Sequence, residues 1–412
     1  MIQKIWNAKT ITLLDQMIFS GTTFLSTLII THLCSPEEFG RFSLIFSLML
    51  FGLPPMRGFT VQPMMANPNK FSNKEYFSSN FIICVVLSIL LSGVYVFVWY
   101  FWGTEYQIEK LSFTIFGFCF FRYLIDVMRG YFFCYKKPLF SLLMDSTSLI
   151  ILLLLFSQHH MGGMNFIQVL QVVNYSYFGG IVLGMCIVRP SFNFNPSLIR
   201  KNLNFGYWLS LSGVMIWFNG NYLILASVSI LGPTIAGLIR AIQNIFAPIH
   251  ILLQVVDNYT PVRAALILEE KGPQEMKNYL LGQLKIVFFI FLPLFITLSL
   301  ASGFIISNLF GDAYLPAKRL LPFFALLQCI GLFGRYMMIT FQTLNYTQPI
   351  FWGYCTAALV CISTAKYFFI YFNILGAGIG IITVQLVFCT VCFFFLQREM
   401  TSLMTKETQN IQ

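Results

Sequence analysis

SPEEFGRFSL at residues 35–44 returns in looser form as GPTIAGLIRA at 232–241, with Pro36 falling on Pro233 and Gly40 on Gly237 at a common offset of 197. That offset is close to half of the 412 residues, so the chain reads as two copies of one unit. Outward from each decapeptide the sequence is apolar over long runs, broken by Pro, Gly, Asn and isolated charges. A transmembrane helix needs about 20 apolar residues. The runs give spans at 11–33, 40–62, 77–102, 111–133, 138–157, 165–188, 203–230, 235–261, 278–306, 319–341, 349–372 and 374–397. Six spans per half is an even number, so both halves enter the bilayer in the same sense and form a parallel repeat. The expected fold is an all-α polytopic membrane protein of about twelve helices in two six-helix bundles. The bundles are expected at 1–190 and 204–398, joined by a cytoplasmic linker at 191–203 and followed by a cytoplasmic tail at 399–412.

Composition supports this division. Hydrophobic residues make up 57% of the chain and charged residues only 10%, where a soluble domain carries roughly 25% charged. The longest polar stretches, near 62–76, 189–203 and 262–278, are far too short for a separate domain. The net charge of +10 is scattered singly through loops and does not form the basic face that nucleic acid requires. With the N-terminus placed inside, 14 Lys and Arg fall in cytoplasmic loops and 4 (Arg41, Lys110, Lys318, Arg319) in outer ones, so both termini are expected in the cytoplasm. The opening run lacks a small-x-small cleavage pattern and is expected to stay as the first span. The ten cysteines lie almost wholly in apolar runs, where they pack as small hydrophobes. Cys389 and Cys392 form a CxxC without a second ligand pair, and packing is the expected use. No GxxxxGK[ST], HExxH or Ser-His-Asp pattern is present, so neither an enzyme nor a metal or organic cofactor is expected.

Eleven ionisable residues fall inside the spans: Asp15, Arg57, Arg122, Asp126, Arg129, Asp145, Arg240, Asp257, Lys285, Arg335 and Lys366. Seven basic against four acidic leaves a basic excess of three, and charges at this depth belong on a bundle interior or a wet cavity. Arg122, Asp126 and Arg129 share one helical face, which Lys136 extends toward the cytoplasm. Such a stripe suits a ladder of forked contacts to a pyrophosphate, or a structural network in which Asp126 neutralises both arginines. Arg57, Lys285, Arg335 and Arg240 are further candidates for a cationic central cavity, with snorkelling to headgroups as the competing use. Asp15 and Asp257 sit near cytoplasmic ends, where hydration is cheap, and Asp145 lies about seven residues into its span. Pro54–Pro55 and Pro248 are expected to break helices at comparable depth in the two halves. Asn219, Asn221, Gln243 and Asn244 suit sugar hydroxyls or interhelical hydrogen bonds, and the aromatic residues, 17% of the chain, suit sugar stacking or the lipid belts.

DQMIFSGTTFLSTLIITHLCSPEEFGRFSL at 15–44 resembles the opening of the polysaccharide transporter branch of the multidrug/oligosaccharidyl-lipid/polysaccharide (MOP) exporter superfamily. The segments at 205–245 and 309–336 resemble that branch's seventh and eighth helices and its ninth-to-tenth connection. Within the branch the chain looks most like the Wzx-type O-antigen flippases. The resemblance implies movement of undecaprenyl-pyrophosphate-linked repeat units to the periplasmic leaflet of a bacterial inner membrane, by alternating access through a cationic central cavity. A polysaccharide polymerase and a chain-length regulator are the implied partners, alongside the bilayer itself. Coupling to H+ or Na+ stays open: multidrug relatives use a deep first-helix carboxylate, and Asp15 reads as shallow. A multidrug exporter of the same superfamily is the first alternative and an integral-membrane polymerase the second. The basic excess weighs against the former, and outer loops of about a dozen residues against the latter.

Overall fold

The computed structural model describes residues 8–66, 74–102, 108–135, 137–159, 163–189, 195–344, 346 and 348–411. Their order is α1 (Ala8–Leu33), α2 (Pro36–Phe59), α3 (Val61–Ala66), α4 (Lys74–Trp102), α5 (Ile108–Cys134), α6 (Pro138–Phe156) and α7 (Phe166–Val188). Then come α8 (Pro196–Leu231), α9 (Pro233–Ile245), α10 (Ala247–Leu300), α11 (Ser302–Phe310), a 3-10 helix (Asp312–Arg319), α12 (Leu321–Thr343), α13 (Gln348–Phe372) and α14 (Leu375–Ile411). The protein is an all-α, multi-pass membrane protein, and the expected spans fall on these helices, with 40–62 running over α2 and α3, 235–261 over α9 and the first arm of α10, and 278–306 over the second arm of α10 and α11. Nine stretches among the described residues are long and apolar enough to cross a membrane on length and composition alone. α1 carries Asp15 and six threonines, and α5 carries Arg122, Asp126 and Arg129.

The repeated decapeptides start equivalent helices. Pro36 and Pro233 both occupy the first turn, where a missing N–H costs nothing. In the first copy Ser35 caps α2 by accepting from the Glu38 N–H at 3.3 Å. Glu38 in turn accepts the Phe166 N–H at 2.7 Å, tying the start of α7 to that of α2, and Arg41 closes the group on Glu37 and Glu38. A capping box of Asn165 and Gln168 completes the start of α7.

The chain divides into two compact units, Met1–Val214 and Met215–Gln412. In the first, α5 packs on α4 and α7, α6 on α1 and α7, and α2 on α4, α5 and α7. Tyr123 is fully buried and donates to the Met49 carbonyl of α2 at 2.8 Å; Asn174 of α7 donates to the Thr114 carbonyl of α5 at 2.9 Å. In the second unit α12 packs on α10 and α14, and α13 on α14. α10 is bent at Gly272, whose φ of 83° is open to glycine and strained for other residues, so its arms 247–271 and 273–300 are separate rods.

The proline expectation holds on one side only. α9 and α10 part at Phe246, with Pro248 in the first turn of the new helix. α2, by contrast, runs through Pro54–Pro55 and ends at Phe59. That proline-bearing end is packed instead: a Cβ on Gly213 of α8 would strike Pro54, and one on Gly206 would strike the Gly58 carbonyl and the Phe59 ring. Small residues allow this backbone approach in membranes. Gly206→Leu is therefore expected to cost about 1–3 kcal/mol from overpacking, read as a lowered unfolding midpoint in detergent, whereas Gly220→Ala, in open space, leaves the midpoint unchanged.

Candidate functional site

The first unit gathers six of the expected charges into one buried network. Arg122, Asp126 and Arg129 of α5 are 8%, 4% and 6% exposed, and Asp15 of α1 is 0%. Asp15 therefore departs from the hydrated placement expected of it: α1 packs on α6, and the buried carboxylate meets Arg129 of α5. Its Oδ2 accepts from Arg129 Nη2 at 2.9 Å. Asp145 of α6 approaches Arg129 Nε at 2.8 Å as an ion pair without hydrogen-bond alignment. Asp15 Oδ1 and Asp145 Oδ2 are thus buried without a hydrogen bond among the described residues.

Asp126 forms its ion pair with α2, and not with the neighbours on its own helix that the shared face suggested. It takes a forked contact from Arg57 of α2, with Nε donating to Oδ2 at 2.6 Å and Nη2 to Oδ1. The Arg57 side chain stays 47% exposed, while the carboxylate is buried. A guanidinium matches a carboxylate in two parallel bonds, and here Arg57 of α2 supplies both. Arg122 is left to ring faces: its Cζ lies 4.8 Å from the centroid of Phe19 and 5.8 Å from that of Tyr177. It makes no hydrogen bond or ion pair with a described residue. Phe19 also carries Arg129 at 3.5 Å, so one ring faces two cations. Arg122, Asp145, Thr22, Ser148 and Tyr177 line a pocket of about 30 Å³, roughly room for one or two waters. Lys136, the continuation of the stripe, lies outside the described residues.

Three arginines thus face three aspartates in the first unit, and the basic excess read from the sequence belongs entirely to the second. There, a cavity of about 400 Å³ opens among α8, α9, α10, α12, α13 and α14. Arg335 lines it together with Gln243, His250, Gln328, Tyr354 and Gln385, and among the described residues no Asp or Glu is part of the lining. Arg240 stands beside it, donating to Gln243 Oε1 at 3.0 Å. Tyr354 stacks on Phe388 with centroids 4.3 Å apart and planes 26° apart. Lys285 sits on an exposed face of α10 and does not line the cavity, and Lys366 is likewise exposed on α13. The Asp257 side chain lies outside the described residues. Asn219 donates to the Met215 and Tyr354 carbonyls, an interhelical use. Among the described residues no group of three His, Cys, Asp or Glu is placed to hold a metal ion. Gln328 and Gln385 escaped the sequence reading, because glutamines on separate helices share no spacing; Gly334, whose missing Cβ leaves room for Gln385, was the available signal.

Long apolar helices carrying buried charge, with a cavity lined by an arginine, define a multi-pass membrane protein with polar sites in its interior. The chain belongs to the polysaccharide biosynthesis protein family, whose pattern it matches over residues 29–319. Its fold is shared with an inward-facing multidrug resistance MATE family transporter of the MOP superfamily (TM-score 0.73, 13% identity, 97% of this chain and 99% of that one). The lipid II flippase MurJ in an inward closed conformation is also similar (TM-score 0.69, 13% identity, 93% and 86%). So is a MOP superfamily transporter from Pyrococcus furiosus, whose binding pocket of reverse polarity suggests a different function (TM-score 0.60, 14% identity, 96% and 96%). At these identities the likeness establishes the fold. No curated protein is matched by the sequence.

Proposed function

We propose that this protein is a flippase for undecaprenyl-pyrophosphate-linked repeat units of an O-antigen or similar surface polysaccharide, moving them from the cytoplasmic to the periplasmic leaflet of a bacterial inner membrane by alternating access. The observation that carries the reading is the cavity of the second unit, which presents Arg335 and, among the described residues, no carboxylate. A cationic drug gains nothing there, whereas a pyrophosphate or an acidic sugar meets a charge of the right sign. Family membership points to the same class of cargo. The 14-to-4 distribution of Lys and Arg supports cytoplasmic termini. An outward-moving pyrophosphate gains about 2.3 kcal/mol per charge per 100 mV of inside-negative potential. Coupling to H+ or Na+ belongs with Asp15 and Asp145, whose unsatisfied oxygens flank Arg129. The exported units then serve as substrate for a polysaccharide polymerase and its chain-length regulator.

The test is a deletion strain complemented at matched expression. Without the protein, undecaprenyl-linked single units accumulate on the cytoplasmic face and surface polysaccharide is lost; wild type restores export and Arg335→Ala restores a small part of it. Units accumulating on the periplasmic face instead assign a polymerase. Altered drug susceptibility with normal polysaccharide assigns a multidrug exporter.

A further inference from the structure

The cavity that attracts an anion by Arg335 has a second, uncharged chemistry. Gln243 enters from α9, Gln328 from α12 and Gln385 from α14, so three carboxamides converge from three helices. Among the described residues Gln385 is held by a 3.6 Å approach to Cys389 Sγ, a weak acceptor, and Gln328 by a 3.4 Å approach to His250 Nε2. Gln243 reaches the Gly220 carbonyl at 3.4 Å. These are long, poor hydrogen bonds; Gln243 Oε1 also accepts from Arg240 at 3.0 Å, and the other donors and acceptors of these half-buried amides are open to a ligand. The Tyr354–Phe388 pair supplies an apolar wall. A carboxamide offers a donor and an acceptor side by side, matching two neighbouring hydroxyls, and an aromatic face matches the C–H face of a pyranose. At about 400 Å³ the space is at the lower end of small-ligand sites, suited to one or two sugar rings and too small for a long oligosaccharide.

Building on the flippase reading, we infer that this cavity reads the sugar. One pyranose of the cargo packs on Tyr354 and Phe388 and places its hydroxyls on Gln243, Gln328 and Gln385, so these three amides set which repeat unit is exported. Removing an amide leaves its hydroxyl partner unpaired, which discriminates far more strongly than trimming an apolar contact.

The test has two arms. In the deletion strain, Gln243→Leu, Gln328→Leu and Gln385→Leu are expressed at matched levels and supplied with either the native repeat unit or one built by foreign glycosyltransferases with a different sugar. Native export is expected to fall about tenfold per amide removed, while export of the foreign unit stays at its wild-type level or rises. In the second arm, purified wild type in nanodiscs is titrated with the native repeat-unit oligosaccharide freed from its lipid by mild acid. Saturable binding, weakened by Gln385→Leu and not by Lys285→Ala, supports the assignment and does not depend on the variants' activity in cells. Native and foreign units falling equally in well-expressed variants, unchanged export of both, or no binding of the free oligosaccharide by wild type each overturn it. A deletion strain that accumulates no lipid-linked units overturns the flippase reading itself, a separate result.

Discussion

Arg129→Ala is expected to lower the stability of the folded protein by about 3–5 kcal/mol, the range for breaking a buried ion pair by removing one partner. The arginine is 6% exposed and stands between Asp15 and Asp145, so its loss leaves two buried carboxylates without their cation. The measurement is the unfolding midpoint in detergent at matched protein-to-micelle ratio. Arg129→Lys keeps the charge and loses the fork, and falls between the two. The triple variant Arg129→Ala, Asp15→Asn, Asp145→Asn recovers much of the loss, because it removes the uncompensated charges and not merely the pair. Arg122→Ala sets the contrast: this guanidinium packs on the Phe19 and Tyr177 rings and forms no ion pair with a described residue, and ring contacts of this kind contribute about 0.5–2 kcal/mol. Equal midpoints for Arg129→Ala and Arg122→Ala would remove the basis for treating the first as the network's centre.

The fork between Arg57 and Asp126 gives an asymmetric pair of outcomes. Arg57→Ala strands a carboxylate that is 4% exposed and removes two charge-assisted bonds, each of about 1.5–3 kcal/mol. The total is discounted because Arg57 itself is half exposed and because the nearby Arg122 and Arg129 still compensate the charge. A net loss of about 2 kcal/mol is expected on these terms. Asp126→Ala leaves a half-exposed arginine that water can reach, and costs less. The double variant lies closer to wild type than additivity allows, with a coupling of about 1–3 kcal/mol in the cycle. Strict additivity would mean that the two side chains do not interact in the membrane-embedded protein.

The placement of helices was legible in the sequence for a physical reason: length and hydropathy are set residue by residue, and Pro36 and Pro233 announce helix starts by what proline lacks. The charge network was legible only in its membership. Within α5 the spacing of Arg122, Asp126 and Arg129 pointed to pairs along one helix, yet the partners come from residues 69 and 114 positions away. Spacing along one helix reports which side chains are neighbours and not which neighbour wins when another helix offers a better-aligned fork. Asp15 shows the same gap in depth: position in a span suggested a wet end, and packing of α1 on α6 made it dry. Gln243 was visible as a polar residue in an apolar helix, whereas Gln328 and Gln385 acquire meaning only when α12 and α14 meet around the cavity.

The ion-pair network also bears on how the chain enters the bilayer during synthesis. α1 carries Asp15 and α5 carries Arg122, Asp126 and Arg129, and each Arg or Asp at mid-helix costs about 2.5–3.5 kcal/mol on insertion. The order of translation brings Asp15 and Arg57 into the membrane before α5 emerges, and Asp145 after it. Both waiting residues are the partners that α5 needs, so its entry is templated by helices already present. A ribosome-bound chain ending before α6 holds Arg129 with one of its two carboxylates. The arrival of α6 is then the step that commits the first unit to its final assembly, and a chain stalled short of it is the natural substrate for membrane quality control.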